Sequence, residues 1–231
     1  MKLSVVTAVL DSHEIVRRQL LHYERAIVPG VEIIMVDDGS DPPIEFPARP
    51  WLRWMQTNET RPWTEHIARN RGAEVARGEY LFLIDIDYVI PKNTLIQARD
   101  FVGDRMDIER RFGVLDEAGE IRTDAETLRA YGLKERWVRK GGTPGHRSQF
   151  VMRADLFWGL GGYREELDDG TNHPKGGGAG QAFWNRWRVA RNRGRVKLAE
   201  DTALVYMFPV GKFATSEDPL GLFHGLERCA T

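Results

Sequence analysis

Three buried-looking runs in the first 87 residues each end in oxygen-bearing side chains, and this repetition constrains the fold most. Leu3–Val9 is apolar and rich in β-branched residues, and it opens into Leu10-Asp11-Ser12. Residues 31–36, Val-Glu-Ile-Ile-Met-Val, stop abruptly at Asp37-Asp38-Gly39-Ser40. Tyr80–Ile84 leads directly into Asp85-Ile86-Asp87. Runs of this kind predict strands covered on both faces. Between them the pattern changes to helical spacing. Ile15, Val16, Leu20, Ala26 and Ile27 fall on one face after Asp11 or Ser12 as a cap, and a second helix is predicted from about Thr64 to Arg77. A weaker strand is predicted at residues 51–57. Alternating strands and helices predict an open, largely parallel α/β sheet with helices on both faces.

After about residue 102 the rhythm breaks. A hairpin is predicted around the Asp116-Glu117-Ala118-Gly119 turn, a strand at 148–152, and a short helix from Ala154 closed by Gly161-Gly162. A long loop to Gly180 precedes an aromatic and basic helix at about 181–192, and one or two strands follow within 198–208. The expected division is a nucleotide-binding half, 1–102, and an acceptor-side half with a tail, 103–231, within one continuous domain.

Composition removes several classes of function. The 231 residues carry 33 Lys+Arg against 34 Asp+Glu, so no global charge favours a polyanion. The single cysteine, Cys229, excludes disulfide frameworks, thiolate zinc sites and CxxC redox chemistry. No apolar run reaches the ~18 residues of a membrane span. The N-terminal apolar run is short and turns charged at once, unlike a signal peptide. A cytoplasmic enzyme is the expectation.

Ligands of open α/β sheets bind beyond the carboxyl ends of the strands, and parallel strands aim all three acidic clusters at one crevice. A nicotinamide site would need GxGxxG after the first strand, where Ala8-Val9-Leu10-Asp11 stands. A Walker loop would need GxxxxGK[ST], which is absent. A nucleotide held without a glycine-rich loop needs another counter-charge. Acids spaced i, i+2 at a strand end can supply it by holding Mg2+ or Mn2+ against a diphosphate.

Three segments in order, 31–40 (VEIIMVDDGS), 68–87 (ARNRGAEVARGEYLFLIDID) and 150–166 (FVMRADLFWGLGGYREE), resemble the family 2 glycosyltransferases. The resemblance implies a GT-A-like, Rossmann-type sheet with a smaller mixed acceptor-side region. It also implies inverting transfer from a nucleotide sugar, with a UDP-sugar as the expected donor. Thr7 and Ala8 would lie against the base, Asp37 would accept from a base N–H, and Asp38 would orient the loop. Arg69 and Asn70 would sit beside the donor, Asp85 and Ile86 would contact ribose or sugar, and Asp87 would bind the metal. Gly161-Gly162-Tyr163 would frame the acceptor.

Family members carry an acidic pair near the start of the late helix, and its Asp serves as general base. Gly178–Phe183 has no carboxylate here. Asp169, then Asp168, are therefore assigned as base from the preceding loop, and His224 as a second metal ligand. Arg186, Arg188, Arg191, Arg193, Arg195 and Lys197 fall within twelve residues without an acid. Read as a binding face, with Arg188 and Arg191 on the acceptor, this run suits an anionic glycan, a lipid phosphate or hydroxymethylated pyrimidines of viral DNA; read plainly, it is a solvated helix face. The rival functions are a nucleotide-sugar-binding module without turnover and a sugar nucleotidyltransferase. The latter would want a glycine- and arginine-rich loop after the first strand.

Overall fold

The computed structural model describes residues 1–59, 61, 64–133, 135–138, 141–167 and 178–208, with the side chains of 136 and 137 excepted. Strands β1 (Leu3–Val9), β2 (Val31–Asp37), β3 (Leu52–Gln56) and β4 (Tyr80–Asp85) run parallel in the order β3-β2-β1-β4. Register places Val9 opposite Asp37 and Ala8 opposite Asp85, so the acidic strand ends converge at one edge. Helix α1 (His13–Ala26) crosses from β1 to β2, and α2 (Glu65–Val75) from β3 to β4.

The side-chain period of two divides β1 between two cores. Val5 packs in the layer that holds Ile15, Val16 and Leu20 of α1, while Val6 packs in the layer that holds Ala68 and Ala73 of α2. The seat of α2 on the sheet depends on a missing side chain. A Cβ at Gly72 would lie 2.4 Å from Val6 Cγ1 and 3.1 Å from Val36 Cγ2, so only glycine lets the helix come this close.

The second half continues the same sheet. After β5 (Tyr88–Val89) and α3 (Lys92–Asp100) comes β6 (Arg105–Phe112), followed by the hairpin β7 (Val114–Leu115) and β8 (Ile121–Arg122). Short helices α4 (Ala125–Ala130) and α5 (Glu135–Val138) lead to β9 (Thr143–Pro144) and β10 (Phe150–Arg153). Helix α6 (Ala154–Gly159), α7 (Ala179–Asn192) and β11 (Ala203–Met207) complete the described elements. Strand β10 inserts antiparallel between β4 and β6, and β11 runs parallel to β6 and antiparallel to β5. The sheet is thus parallel on the side of the first four strands and mixed beyond β4. Helices α6 and α7 join α2 on one face through Phe157, Phe183 and Trp187, and α3 joins α1 on the other through Leu95 and Ala98.

Two elements differ from the sequence expectation. β6 has only Met106 and Ile108 as buried apolar residues, set among charged ones, so the run Arg-Met-Asp-Ile-Glu-Arg-Arg-Phe shows little strand signal. Helix α3 buries only Thr94, Leu95 and Ala98, too few for a clear apolar face. No helix among the described residues is long and apolar enough to cross a membrane.

Candidate active site

The loop after β2 is held by its own acids. Asp37 is 1% exposed; its Oδ1 accepts from the Ser40 amide at 2.9 Å and its Oδ2 from the Ile44 amide at 3.0 Å. The Asp38 amide donates to the Val9 carbonyl at 2.8 Å, tying the ends of β1 and β2 together. Its carboxylate accepts from Thr57 Oγ1 at 2.9 Å and Thr64 Oγ1 at 2.8 Å, so one acid fixes the loop to the end of β3 and the start of α2. Gly39 turns between them at φ +97°, and a Cβ there would meet the Glu59 carbonyl oxygen at 2.4 Å. This loop, Gln56, Glu59 and Arg61 line an open cleft of about 620 Å³. Thr7 is buried and Ala8 half-buried on the neighbouring β1.

At the end of β4 a second network forms. Asp85 takes Arg69 Nη2 on Oδ1 and Gln149 Nε2 on Oδ2. Arg69 is 1% exposed, an interior cation rather than a solvated one, and its Nη1 donates to the Ser148 carbonyl at 3.4 Å. Helix α2 thereby delivers its arginine under the strand end while β10's approach delivers Gln149. Sequence reading missed Gln149, since an amide before an apolar strand carries no recognisable signal. Asn70, one residue on, bonds both backbone groups of Tyr163: Nδ2 to its carbonyl at 2.8 Å and Oδ1 from its amide at 3.1 Å.

Tyr163, expected from the sequence to frame the acceptor side, is buried. It is 2% exposed, its hydroxyl donates to the Ser148 carbonyl at 3.1 Å, and burial pushes its phenol up to about 12. Its ring packs against His66, Phe157 and Phe183. The reason is Gly161-Gly162, both at positive φ, which turn the chain inward from α6. Ile86 is also buried, and its carbonyl accepts from Gln19 Nε2 at 2.6 Å. Arg188 and Arg191 are exposed on α7. Asp168, Asp169 and His224 lie outside the described residues.

A divalent cation can be tested against the donors present. Among the described residues no three His, Cys, Asp or Glu side chains gather to hold one. Asp85 is committed to Arg69 and Gln149, which leaves Asp87, a hard oxygen donor that is 4% exposed beside the same strand end. Mg2+ and Mn2+ ordinarily take one or two carboxylates and fill the remaining positions with phosphate oxygens and water. A single Asp beside a diphosphate fits that habit.

Comparison with known proteins bears on the fold. The chain is similar in structure to S. aureus TarS 1-349, with 18% identity and TM-score 0.54 over 90% of this chain and 61% of that one. TarS 1-349 in complex with UDP-GlcNAc gives 18% identity and TM-score 0.53, over 90% of this chain and 58% of that one. Mannosyltransferase PcManGT from Pyrobaculum calidifontis, in complex with GDP-Man and Mn2+, aligns at 13% identity and TM-score 0.51 over 94% of this chain and 58% of its own. The chain therefore spans about three fifths of these structures, and the likeness is one of fold. No curated protein matches it in sequence. The family description Glycosyl transferase family 2 matches residues 4–161, more than half of the chain and all four parallel strands, so the chain belongs to glycosyl transferase family 2.

Proposed function

We propose that this protein transfers a sugar from a nucleotide sugar, a UDP-sugar first among them, to an acceptor hydroxyl with inversion at the anomeric carbon. One observation carries the reading: the acidic ends of β2 and β4, at Asp37 and Asp85, flank the end of β1 at one edge of the sheet, beside an open cleft of about 620 Å³. The similar structures hold UDP-GlcNAc in one case and GDP-Man with Mn2+ in the other, which supports a nucleotide-sugar donor here.

In this reading the loop 37–44 is a rigid wall for the nucleobase. Asp37 and Asp38 keep it in place through hydrogen bonds at their own backbone and carboxylate atoms. A carboxylate oxygen accepts more than one bond, so Asp37 retains capacity for a base N–H. Thr7 and Ala8 line the floor. Arg69, at Asp85, holds that carboxylate in place beside a sugar or ribose hydroxyl, and Asn70 holds the turn around Tyr163. Asp87 would hold Mn2+ or Mg2+, which when bound neutralises a departing diphosphate. Arg188 and Arg191 would meet an anionic acceptor, either a phosphorylated glycan or modified DNA.

The test is incubation with a panel of UDP-, GDP- and other nucleotide sugars plus Mn2+, following free nucleoside diphosphate and using water as the default acceptor. Release from one donor supports transfer. Binding without release from any donor supports a carrier module, and neither binding nor release overturns the reading.

A further inference from the structure

We propose that His146 is the general base that removes the proton from the attacking hydroxyl, an assignment that rests on the glycosyl-transfer reading above. The start of α7, Gly178–Phe183, carries no carboxylate. Its packing shows what stands there instead. A Cβ built on Gly180 would lie 2.7 Å from His66 Nε2 and 3.5 Å from Ser148 Cβ. The space that an acidic side chain at this position would need is filled by the neighbours of His146.

The acids around the Arg69–Asp85 pair are already engaged. Asp85 is bonded by Arg69 and Gln149, and Glu165 accepts from Asn70 at 3.1 Å and Arg71 at 3.2 Å. Glu65 lies 3.9 Å from Arg69 and 3.6 Å from His66. A carboxylate shared with arginine is a poor proton acceptor.

His146 differs. It is exposed, in the loop between β9 and β10, three residues before the Gln149 that grips Asp85. Its Nδ1 sits 2.6 Å from Ser148 Oγ, and Ser148 is 1% exposed, with its carbonyl accepting from Tyr163 and Arg69. With Nδ1–H donating to that hydroxyl, Nε2 carries the lone pair, and it makes no hydrogen bond to the described residues. A base oriented by a third, fixed group is the arrangement a hydroxyl nucleophile requires. Crowding by surrounding protein, then Arg69, His66 of α2 and Arg110 of β6, hold the imidazole below its ordinary value, with Glu65 opposing; the ring is therefore neutral at pH 7.

The step balances. The hydroxyl oxygen bonds to the anomeric carbon, the carbon–oxygen bond to the diphosphate breaks with its electron pair leaving on phosphate, and the hydroxyl proton moves to Nε2. The imidazolium then returns that proton to water.

The experiment compares His146→Asn, whose amide can keep the bond to Ser148, with Asp169→Asn, using UDP-GlcNAc and GDP-mannose with Mn2+ and water as acceptor. Calorimetry first establishes donor binding, and no binding by the unsubstituted protein fails the glycosyl-transfer reading and the base together. With donor bound, His146→Asn should lower kcat about 10²–10⁴-fold, the usual scale for a lost general base, with donor and Mn2+ affinity unchanged. Activity of the unsubstituted protein should fall as pH drops through the depressed imidazole value. That acid limb should vanish in His146→Asn, and added imidazole should restore part of the rate. Unchanged kcat in His146→Asn, loss of Mn2+ or donor affinity instead of rate, or loss of turnover in Asp169→Asn alone each overturns the assignment.

Discussion

At the end of β2, Asp37 and Asp38 are almost fully buried, and each of their four carboxylate oxygens accepts a hydrogen bond from the protein. On α7, Arg188 and Arg191 are exposed, as are Arg193, Arg195 and Lys197 just beyond it, and none of their side-chain cations forms an ion pair with a carboxylate among the described residues. Six exposed arginines elsewhere are different: Arg17, Arg49, Arg71, Arg122, Arg129 and Arg153 each have an acid within 4 Å. The comparison separates two uses of charge. Acids at the strand ends spend their bonds on building a rigid wall, so their loss costs structure as well as binding. Arg186 of α7 holds the Leu160 and Gly162 carbonyls, whereas the side chains of Arg188 and Arg191 make no such bond among the described residues, so their loss should cost only what binds to them.

The largest expected effect is at the buried pair. Arg69→Met leaves Asp85 with Gln149 alone, and removing one partner of a buried ion pair costs about 3–5 kcal/mol. The 23% exposure of the Asp85 side chain puts the expectation at the low end, about 3 kcal/mol by urea unfolding. A change below about 1 kcal/mol, the level of a surface pair, would place this pair with the solvated charges. Asp38→Ala comes next. It removes the carboxylate to which Thr57 and Thr64 donate, Thr64 being 1% exposed, and should cost about 1–3 kcal/mol together with weaker UDP binding. Loss of UDP affinity with full stability would mean the loop is a binding surface that does not need its anchor.

The smallest effect on stability belongs to α7. Arg188→Glu with Arg191→Glu should move stability by no more than about 0.5 kcal/mol, as for other surface changes. It should leave UDP affinity unaltered while raising the KM for an anionic acceptor and flattening its salt dependence. An identical salt response in both proteins would make α7 an ordinary solvated face.

Legibility in the sequence follows the same division. Strand ends marked by Asp37, Asp38, Asp85 and Asp87 were readable because continuous apolar runs and abrupt acids depend only on local order. Nothing local says that an arginine on α2 is buried, as Arg69 is. Gln149 and the half-buried β6 were not readable, because their roles come from β10 inserting beside β4, a contact across 64 residues in the case of Gln149 and Asp85. The burial of Tyr163 is not legible either, because the sequence shows an aromatic after two glycines but not the inward turn that those glycines make.

The central claim is that the converging strand ends hold a nucleotide with a cation at Asp87. Calorimetric titration of UDP, with and without Mn2+, into the unsubstituted protein and Asp87→Asn tests it directly. The account predicts that Mn2+ strengthens UDP binding to the first protein and not to the second, while both unfold at the same urea concentration. Equal enhancement by Mn2+ in both proteins, or no UDP binding to either, would contradict it.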